Sequence, residues 1–269
     1  MQVTARSIIT ETLSVAESTG HPVVPVRTLI DACAIFGFSA NTVRVTLVKM
    51  RADGTVESSE RGTYELGEKS RELSQRIMGW RNVSDRTVPW DGSWVAVYVG
   101  HLTRSDRPAL GRRTRALRLL GFRELEEGLF VRPNNLRGGV AEVRSALERL
   151  GVEPNAVCSR MDELSGRDNV RALNLWDATA TMTGYRDLRD QLEESLRARE
   201  SQPLVEAVRE AFLLGREVIR WVTLDPLLPA EMAPTEERDA LVEAMREYDE
   251  TGRVLWWRHM KLAADEVAA

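Results

Sequence analysis

Apolar residues in the first part of the chain recur at the spacing of amphipathic helices. One helix is predicted around residues 9–16 and a second around residues 29–36. Gly37 can end the second helix, and Ser39 can cap a third, which is predicted over residues 40–52. Because only a short segment separates the second helix from the third, the pattern is typical of a helix-turn-helix.

The third helix divides into a buried face and an outer face. Val43, Leu47 and Met50 form one apolar stripe, and no acidic residue lies between Asn41 and Ala52. The outer face carries Asn41, Arg44, Val45, Val48 and Lys49. Its polar and basic side chains suit contact with an anionic partner.

Two β-like runs follow at residues 55–58 and 63–66, joined by a turn. Three helices and this hairpin predict a winged helix-turn-helix over residues 1–68. The wing carries Glu57 and Glu60 against a single Arg61. The third helix is therefore better suited to DNA than the wing is.

The middle of the chain alternates strands and helices. Residues 69–91 begin with a helical pattern and then carry proline and turn residues, which indicates a linker helix. A continuous apolar run at residues 94–99 suits a buried strand. The elements that follow are a helix at 109–120, strands at 122–125 and 129–132, a helix at 140–150 and a strand at 156–161. This β-α-β-β-α-β order predicts a ferredoxin-like domain over residues 92–165.

The last part of the chain, residues 166–269, has helical patterns and no strand pattern of any length. These helical patterns are separated by Pro203, Pro226, Pro229 and Pro234. We therefore predict a C-terminal helical domain. With the two parts before it, this makes the whole chain α+β.

Composition restricts the functions that such a chain can serve. The 269 residues carry a net charge of −4, so any contact with nucleic acid must be local. Cys33 and Cys158 lie in apolar periodic segments and are interpreted as core residues. The sequence has no pair of Cys or His at zinc-ligand spacing, no glycine-rich phosphate loop and no G-x-S-x-G motif. We expect no catalytic site, no metal and no cofactor.

The chain also lacks the patterns of a membrane protein. It has no run of about 18 apolar residues. Its first residues do not combine a charged segment, an apolar stretch and a small-residue cleavage site. We therefore expect a cytoplasmic protein with no membrane partner.

Three separated segments carry motifs that recur in one protein family. The first is GFSANTVRVTLVKMRADG at residues 37–54, which has Val43-Arg44 near the start of its helix, where that family has V-R-T. The second is PWDGSWVAVYVG at residues 89–100, and the third is LDPLLPAEMAP at residues 224–234. In this order and spacing the segments resemble the PaaX family, the phenylacetate-degradation repressors, over nearly the whole chain.

The resemblance implies a repressor that binds double-stranded operator DNA as a homodimer. It also implies release by a small-molecule effector, an acyl-coenzyme A thioester such as phenylacetyl-CoA. We expect the DNA contacts to come from Ser39, Asn41, Thr42, Arg44, Val45, Lys49 and Arg61. The sequence departs from the family pattern at Thr55 and at Thr235-Glu236, where Trp is expected, and has fewer basic residues near Arg61.

A basic cluster and two tryptophans are the candidates for the effector site. The effector residues are predicted to be Arg112, Arg113, Arg115, Arg118, Trp94 and Trp176. The arginines suit the phosphates of CoA, and the tryptophans suit an aromatic pocket where the ferredoxin-like domain meets the helical domain. The alternatives are a solvated helix face or a DNA-backbone contact for the arginines, and core or interface positions for the tryptophans.

Two other functions are compatible with the predicted fold. A ferredoxin-like domain resembles the small CRISPR-associated nuclease subunit, but such a nuclease needs a carboxylate at the end of its first strand, where this chain has Val99-Gly100-His101. The acidic wing also permits a winged helix that docks proteins and does not bind DNA. Selection from random DNA distinguishes this docking module from a regulator, because the module enriches no motif.

Overall fold

The computed structural model describes residues 3–268, which fall into two compact units. The first unit comprises the chain up to Arg81, together with Leu192–Glu217 and the residues from Met245 onward. The second comprises Asn82–Gln191 and Val218–Ala244. Each unit is therefore assembled from segments that are distant in sequence.

Three helices and a small antiparallel sheet form the N-terminal part of the first unit. The elements are α1 (Ala5–Ser18), β1 (Val24–Pro25), α2 (Val26–Ala34), α3 (Ala40–Ala52), β2 (Val56–Glu57), β3 (Thr63–Leu66) and α4 (Glu68–Met78). The strand order is β1-β3-β2. The sequence pattern predicts β2 and β3 but not β1, whose two residues pair with Tyr64 and Thr63 of β3.

Side-chain caps and one glycine define where these helices begin and end. Thr4 and Ser7 cap α1 reciprocally, since each side-chain oxygen accepts a hydrogen bond of 3.1 Å from the other residue's backbone N–H. The hydroxyl of Ser39 accepts a bond of 3.2 Å from the N–H of Thr42 and so caps α3. Gly37 has a φ of +80°, a conformation that glycine adopts easily and that closes the turn after α2.

One hydrophobic core in this unit contains residues of α1, α2, α3 and all three strands. The fully buried side chains include Ile8, Ile9 and Leu13 of α1, Leu29 and Cys33 of α2, and Val43, Leu47 and Met50 of α3. Phe212 and Trp256, from the C-terminal region, pack against the same core. The hydrophobic burial that stabilises the N-terminal helices is thus shared with distant parts of the chain.

A four-stranded antiparallel sheet lies at the centre of the second unit. Its elements in chain order are β4 (Trp94–Tyr98), α5 (Arg107–Leu119), β5 (Arg123–Glu126), β6 (Leu129–Pro133), α6 (Gly139–Arg149) and β7 (Val157–Met161). The strand order is β5-β6-β4-β7, so the apolar strand β4 is internal and pairs with β6 and β7. This position explains why the first four residues of β4 are all buried.

The remaining helices are α7 (Gly166–Leu173), α8 (Ala178–Ala198), α9 (Leu204–Thr223) and α10 (Glu236–Ala268). After the first boundary, which follows Arg81, the other three boundaries between the two units fall inside α8, α9 and α10. Residues 166–269 are therefore divided between both units. Two small antiparallel sheets with a helical C-terminal region confirm the predicted α+β class.

Buried polar groups hold the proline-containing segment after α9 against the sheet of the second unit. Arg132 donates a hydrogen bond of 3.2 Å to the carbonyl of Pro226, and Asn135 donates one of 2.7 Å to the carbonyl of Leu227. The N–H of Leu227 in turn donates to a carboxylate oxygen of Asp225 at 2.6 Å. These bonds fix Leu227 at a φ of +53°, which is uncommon for a residue with a side chain.

Candidate nucleic-acid interface

The buried stripe predicted for α3 is confirmed. Val43, Leu47 and Met50 are inaccessible to solvent and lie in the core of the first unit. Because side chains three and four residues apart share one helix face, this stripe fixes the rotation of α3 about its axis. The opposite face must then point to solvent.

The outer face of α3 carries exposed side chains of two kinds. Asn41, Arg44 and Lys49 are polar or charged and exposed, whereas Val45 and Val48 are apolar and exposed. Within residues 3–268, none of Arg44, Lys49 and Arg51 forms an ion pair with an acidic side chain. The helix therefore presents cations that are free to meet an anionic partner.

Ser39 and Thr42 are exposed at the start of α3, but both hydroxyls take part in the cap. The two oxygens lie 2.9 Å apart, and the Ser39 hydroxyl also accepts the Thr42 N–H. Both residues therefore have a clear structural role in starting the helix. A DNA contact from either one would be made in addition to that cap.

The acidic residue that follows α3 is neutralised within the unit. Arg6 of α1 forms an ion pair of 2.7 Å with Asp53, and the Thr55 hydroxyl also bonds to this carboxylate. The hydrogen bond from Arg6, followed by those from Thr55, lowers the pKa of Asp53 to about 2. Asp53 thus stays ionised but carries a counter-charge, which limits its repulsion of an anion at α3.

The loop between β2 and β3 presents Arg61 to solvent beside acidic residues. Arg61, Glu57 and Glu60 are all exposed. The carbonyl of Glu60 accepts hydrogen bonds from the hydroxyls of Ser58 and Thr63, at 2.8 and 3.1 Å, which orders the turn. The loop is compact, and Arg61 is its single basic side chain.

A contact that sequence reasoning did not predict holds the turn before α3. The guanidinium of Arg209, on α9, donates two hydrogen bonds to the carbonyl of Ile35, at 3.1 and 2.5 Å. The rings of Phe36 and Phe212 lie 5.0 Å apart beside it. No local pattern could reveal these contacts, because Arg209 and Ile35 are 174 positions apart.

The predicted effector residues occupy both exposed and buried positions in the second unit. Arg112, Arg115 and Arg118 are exposed on α5. The side chain of Arg113 is only 3% exposed, and it bonds to Glu153 and to the Thr103 carbonyl, both at 3.1 Å. Its donors already have partners within the fold.

The two tryptophans assigned to the effector lie in the core. Trp94 and Trp176 are buried, with ring centroids 6.2 Å apart and planes at 12°. The indole N–H of Trp176 donates to the carbonyl of Gly121 at 3.2 Å. These two rings therefore pack in the core, whereas Arg112, Arg115 and Arg118 of α5 are exposed to solvent.

The end of β4 carries no metal-binding arrangement. His101 stacks on Tyr98, with ring centroids 5.5 Å apart, and its Nε2 bonds to the carbonyl of Asn155 at 2.9 Å. Over the described part of the chain, no group of three or more His, Cys, Asp or Glu side chains is arranged to hold a metal ion. Nor does any helix in that part have both the length and the apolar character needed to cross a membrane.

The fold and the free cations of α3 define a candidate DNA-binding protein. Residues 4–70 match the model of a family described as PaaX-like protein. Over this region the match confirms the resemblance to the PaaX family found in the sequence.

Among solved structures, the chain is similar to the uncharacterized protein Rv0674 from Mycobacterium tuberculosis. The two are 22% identical, the match covers 96% of this chain and 100% of that one, and the TM-score is 0.64. This likeness shows a shared fold over nearly the whole length. A search of curated proteins found no match.

Proposed function

We propose that this protein is a sequence-specific, DNA-binding transcriptional regulator and that α3 is its recognition helix. The observation that carries the proposal is the outer face of α3, which is free of acidic residues and exposes unpaired cations. The match to the PaaX-like family model over the same region supports a regulatory role.

The arrangement around α3 supports a winged helix-turn-helix over residues 1–68. The turn at Gly37 separates α2 from α3, and the hairpin of β2 and β3 follows in the position of a wing. In the second unit, the strand order β5-β6-β4-β7 with a helix after β4 and another after β6 supports a ferredoxin-like fold for residues 92–165.

The exposed residues of α3 have distinct proposed roles at the DNA. The side-chain amide of Asn41 suits a pair of hydrogen bonds to adenine, and the guanidinium of Arg44 suits a pair to guanine. Lys49, and Arg61 in the wing, are proposed to hold backbone phosphates. One such helix reads only a few base pairs, so we propose a homodimer on two related half-sites.

Selection from a random duplex library with the full chain tests this proposal. A two-fold repeated motif is expected. Arg44→Ala should then weaken binding to that motif about 5- to 150-fold, because a paired contact to guanine contributes roughly 1–3 kcal/mol. Arg197→Ala, an exposed arginine of α8 in the same unit, is the control and should bind normally.

The same experiment separates the regulator from a protein-docking winged helix. Enrichment of no motif contradicts the proposal and favours docking. Enrichment of a single, unrepeated site contradicts the homodimer alone. If Arg44→Ala binds as tightly as the wild type, α3 does not lie in the groove with Arg44 at the bases.

We also propose that the regulator acts as a repressor and is released by an acyl-CoA, as its resemblance to the PaaX family implies. Arg112, Arg115 and Arg118 of α5 offer exposed cations for the phosphates of CoA. The predicted Arg113, Trp94 and Trp176 are buried, so we expect them to act only by supporting the fold around the ligand.

Calorimetry with a panel of acyl-CoAs tests the effector. Wild type should bind a thioester more tightly than free CoA, and Arg112→Ala/Arg115→Ala should bind it more weakly. Saturating ligand should weaken DNA binding by roughly 5- to 150-fold. Arg149→Ala, on α6, is the control. If no thioester binds while another small molecule releases the DNA, the effector belongs to a different class.

A further inference from the structure

The outer face of α3 has an apolar centre that the assigned polar contacts do not use. Asn41, Val45, Val48 and Ala52 follow one another at spacings of four, three and four residues, which places them in one row along the helix. Val48 is 68% exposed, the highest value among the large hydrophobic residues that the structure describes as exposed. Val45 is 46% exposed.

Neither of the two valines belongs to the core of the first unit or is among the residues packed against that core. The core contacts of α3 are made by Val43, Leu47 and Met50, on the opposite face. A single exposed valine is ordinary on a protein surface. Two valines on neighbouring turns, at the centre of a face that is otherwise polar, form a small apolar row that water solvates poorly.

Charge indicates what can cover this row. Arg44 lies on one side of it and Lys49 on the other, while α3 contains no acidic residue. A complementary surface must therefore be anionic at both margins and apolar at its centre. The major groove of DNA has phosphates along both edges, and the apolar group on its floor is the C5-methyl of thymine.

We propose that Val45 and Val48 determine specificity by packing on the methyl groups of thymines in adjacent base pairs. This inference rests on the proposed function and adds to it the base that the apolar residues read. Three helical residues advance about 4.5 Å along the axis. Successive base pairs are separated by about 3.4 Å, so the two side chains suit neighbouring steps.

Deoxyuridine is the probe, because it pairs like thymidine but lacks the methyl group. Each thymine of the half-site selected by the wild type is replaced singly by deoxyuridine, and affinity is measured for the full chain. One or two positions in each half-site should lose about 4-fold in affinity, the value expected for about 0.8 kcal/mol per buried methyl group. Thymines elsewhere in the site should tolerate the replacement.

The protein side of the experiment uses Val45→Ala and Val48→Ala, with Val15→Ala as control. Val15 is also an exposed helical valine of the first unit, on α1. If Val48 packs on a given methyl group, Val48→Ala should bind the thymine and uracil sites equally, whereas Val15→Ala should keep the 4-fold difference. Thermal unfolding should show no loss of stability in Val48→Ala.

The outcomes separate this inference from the function on which it rests. Methyl sensitivity that persists unchanged in both Val45→Ala and Val48→Ala overturns the inference, as does a selected half-site without thymine or one indifferent to uracil. In each of those cases the protein still selects DNA, so the proposed function stands. Selection of no DNA at all overturns both and leaves the apolar row to a protein partner.

Discussion

Two arginine-bearing helices, α3 in the first unit and α5 in the second, use their charge differently. On α3 the basic side chains are exposed and unpaired, and the buried face is wholly apolar. On α5 the chain buries Arg113 and pairs it with Glu153. In the first unit, the charges of α3 are available to a partner. In the second unit, part of the charge of α5 stabilises the fold of that unit itself.

Arg132 extends this contrast, because it is another buried cation of the second unit. Its guanidinium donates to the carbonyls of Leu120, Pro133 and Pro226 and to the side chain of Asn135. Burial lowers the pKa of Arg132 to about 9, so the group remains charged at neutral pH. A buried charge with this many acceptors orders the segments that it joins.

The largest expected effect comes from removing the partner of the buried arginine on α5. Glu153→Ala should lower the free energy of unfolding by about 3 kcal/mol, because it leaves the Arg113 charge buried without the carboxylate that pairs with it. Urea denaturation measures the change. Arg112→Ala, at an exposed neighbouring position, is the control and should stay within about 0.5 kcal/mol. If the two variants lost the same free energy of unfolding, the buried pair would not stabilise the second unit, and α5 would not differ from α3 in this respect.

The sequence predicts α3 better than α5 for a physical reason. The buried face of α3 consists of apolar residues alone, so their helical spacing in the sequence is enough to identify that face. Arg113 can be buried because it pairs with Glu153, which is forty positions away in the sequence. A local pattern shows a basic cluster on α5, but not which of its members is buried.

The same limit applies to the arrangement of the long helices. Periodicity predicts that α8, α9 and α10 are helical, because each has an apolar face. It does not show which neighbour covers that face, so residues 166–269 appear in the sequence as one domain. In the structure, Phe212 of α9 and Trp256 of α10 pack on the core of the first unit. The strand β1 is missed because two residues form no pattern.

A smaller effect concerns the charges that the first unit does use internally. Burial raises the pKa of Glu11 on α1 to about 7, against the opposite influence of Arg216, which lies 2.9 Å away. The folded state therefore holds this proton more strongly than the unfolded state does. Stability should be greatest below the ordinary pKa of 4.5 and should fall as the pH rises through about 7.

Urea denaturation between pH 4.5 and 7.5 measures this change. Glu11→Gln keeps the size of the side chain and removes the titration, so its stability should vary less over the same interval. Arg44→Ala, whose charge faces solvent on α3, is the control and should keep the wild-type dependence. An unchanged pH dependence in Glu11→Gln would show that Glu11 is not the group responsible.

The smallest effect tests whether the first unit keeps its structural charges apart from its DNA-facing ones. Arg209→Met removes two hydrogen bonds to the Ile35 carbonyl, at the turn before α3, and should lower the free energy of unfolding by about 1 kcal/mol. Arg209 bonds to backbone within the unit, so this variant should leave the salt dependence of DNA binding unchanged. Arg44→Ala, in contrast, should lower the affinity for DNA and leave the free energy of unfolding unchanged. A shallower salt dependence in Arg209→Met would place Arg209 at the phosphates, and the separation between structural and DNA-facing charge in this unit would fail.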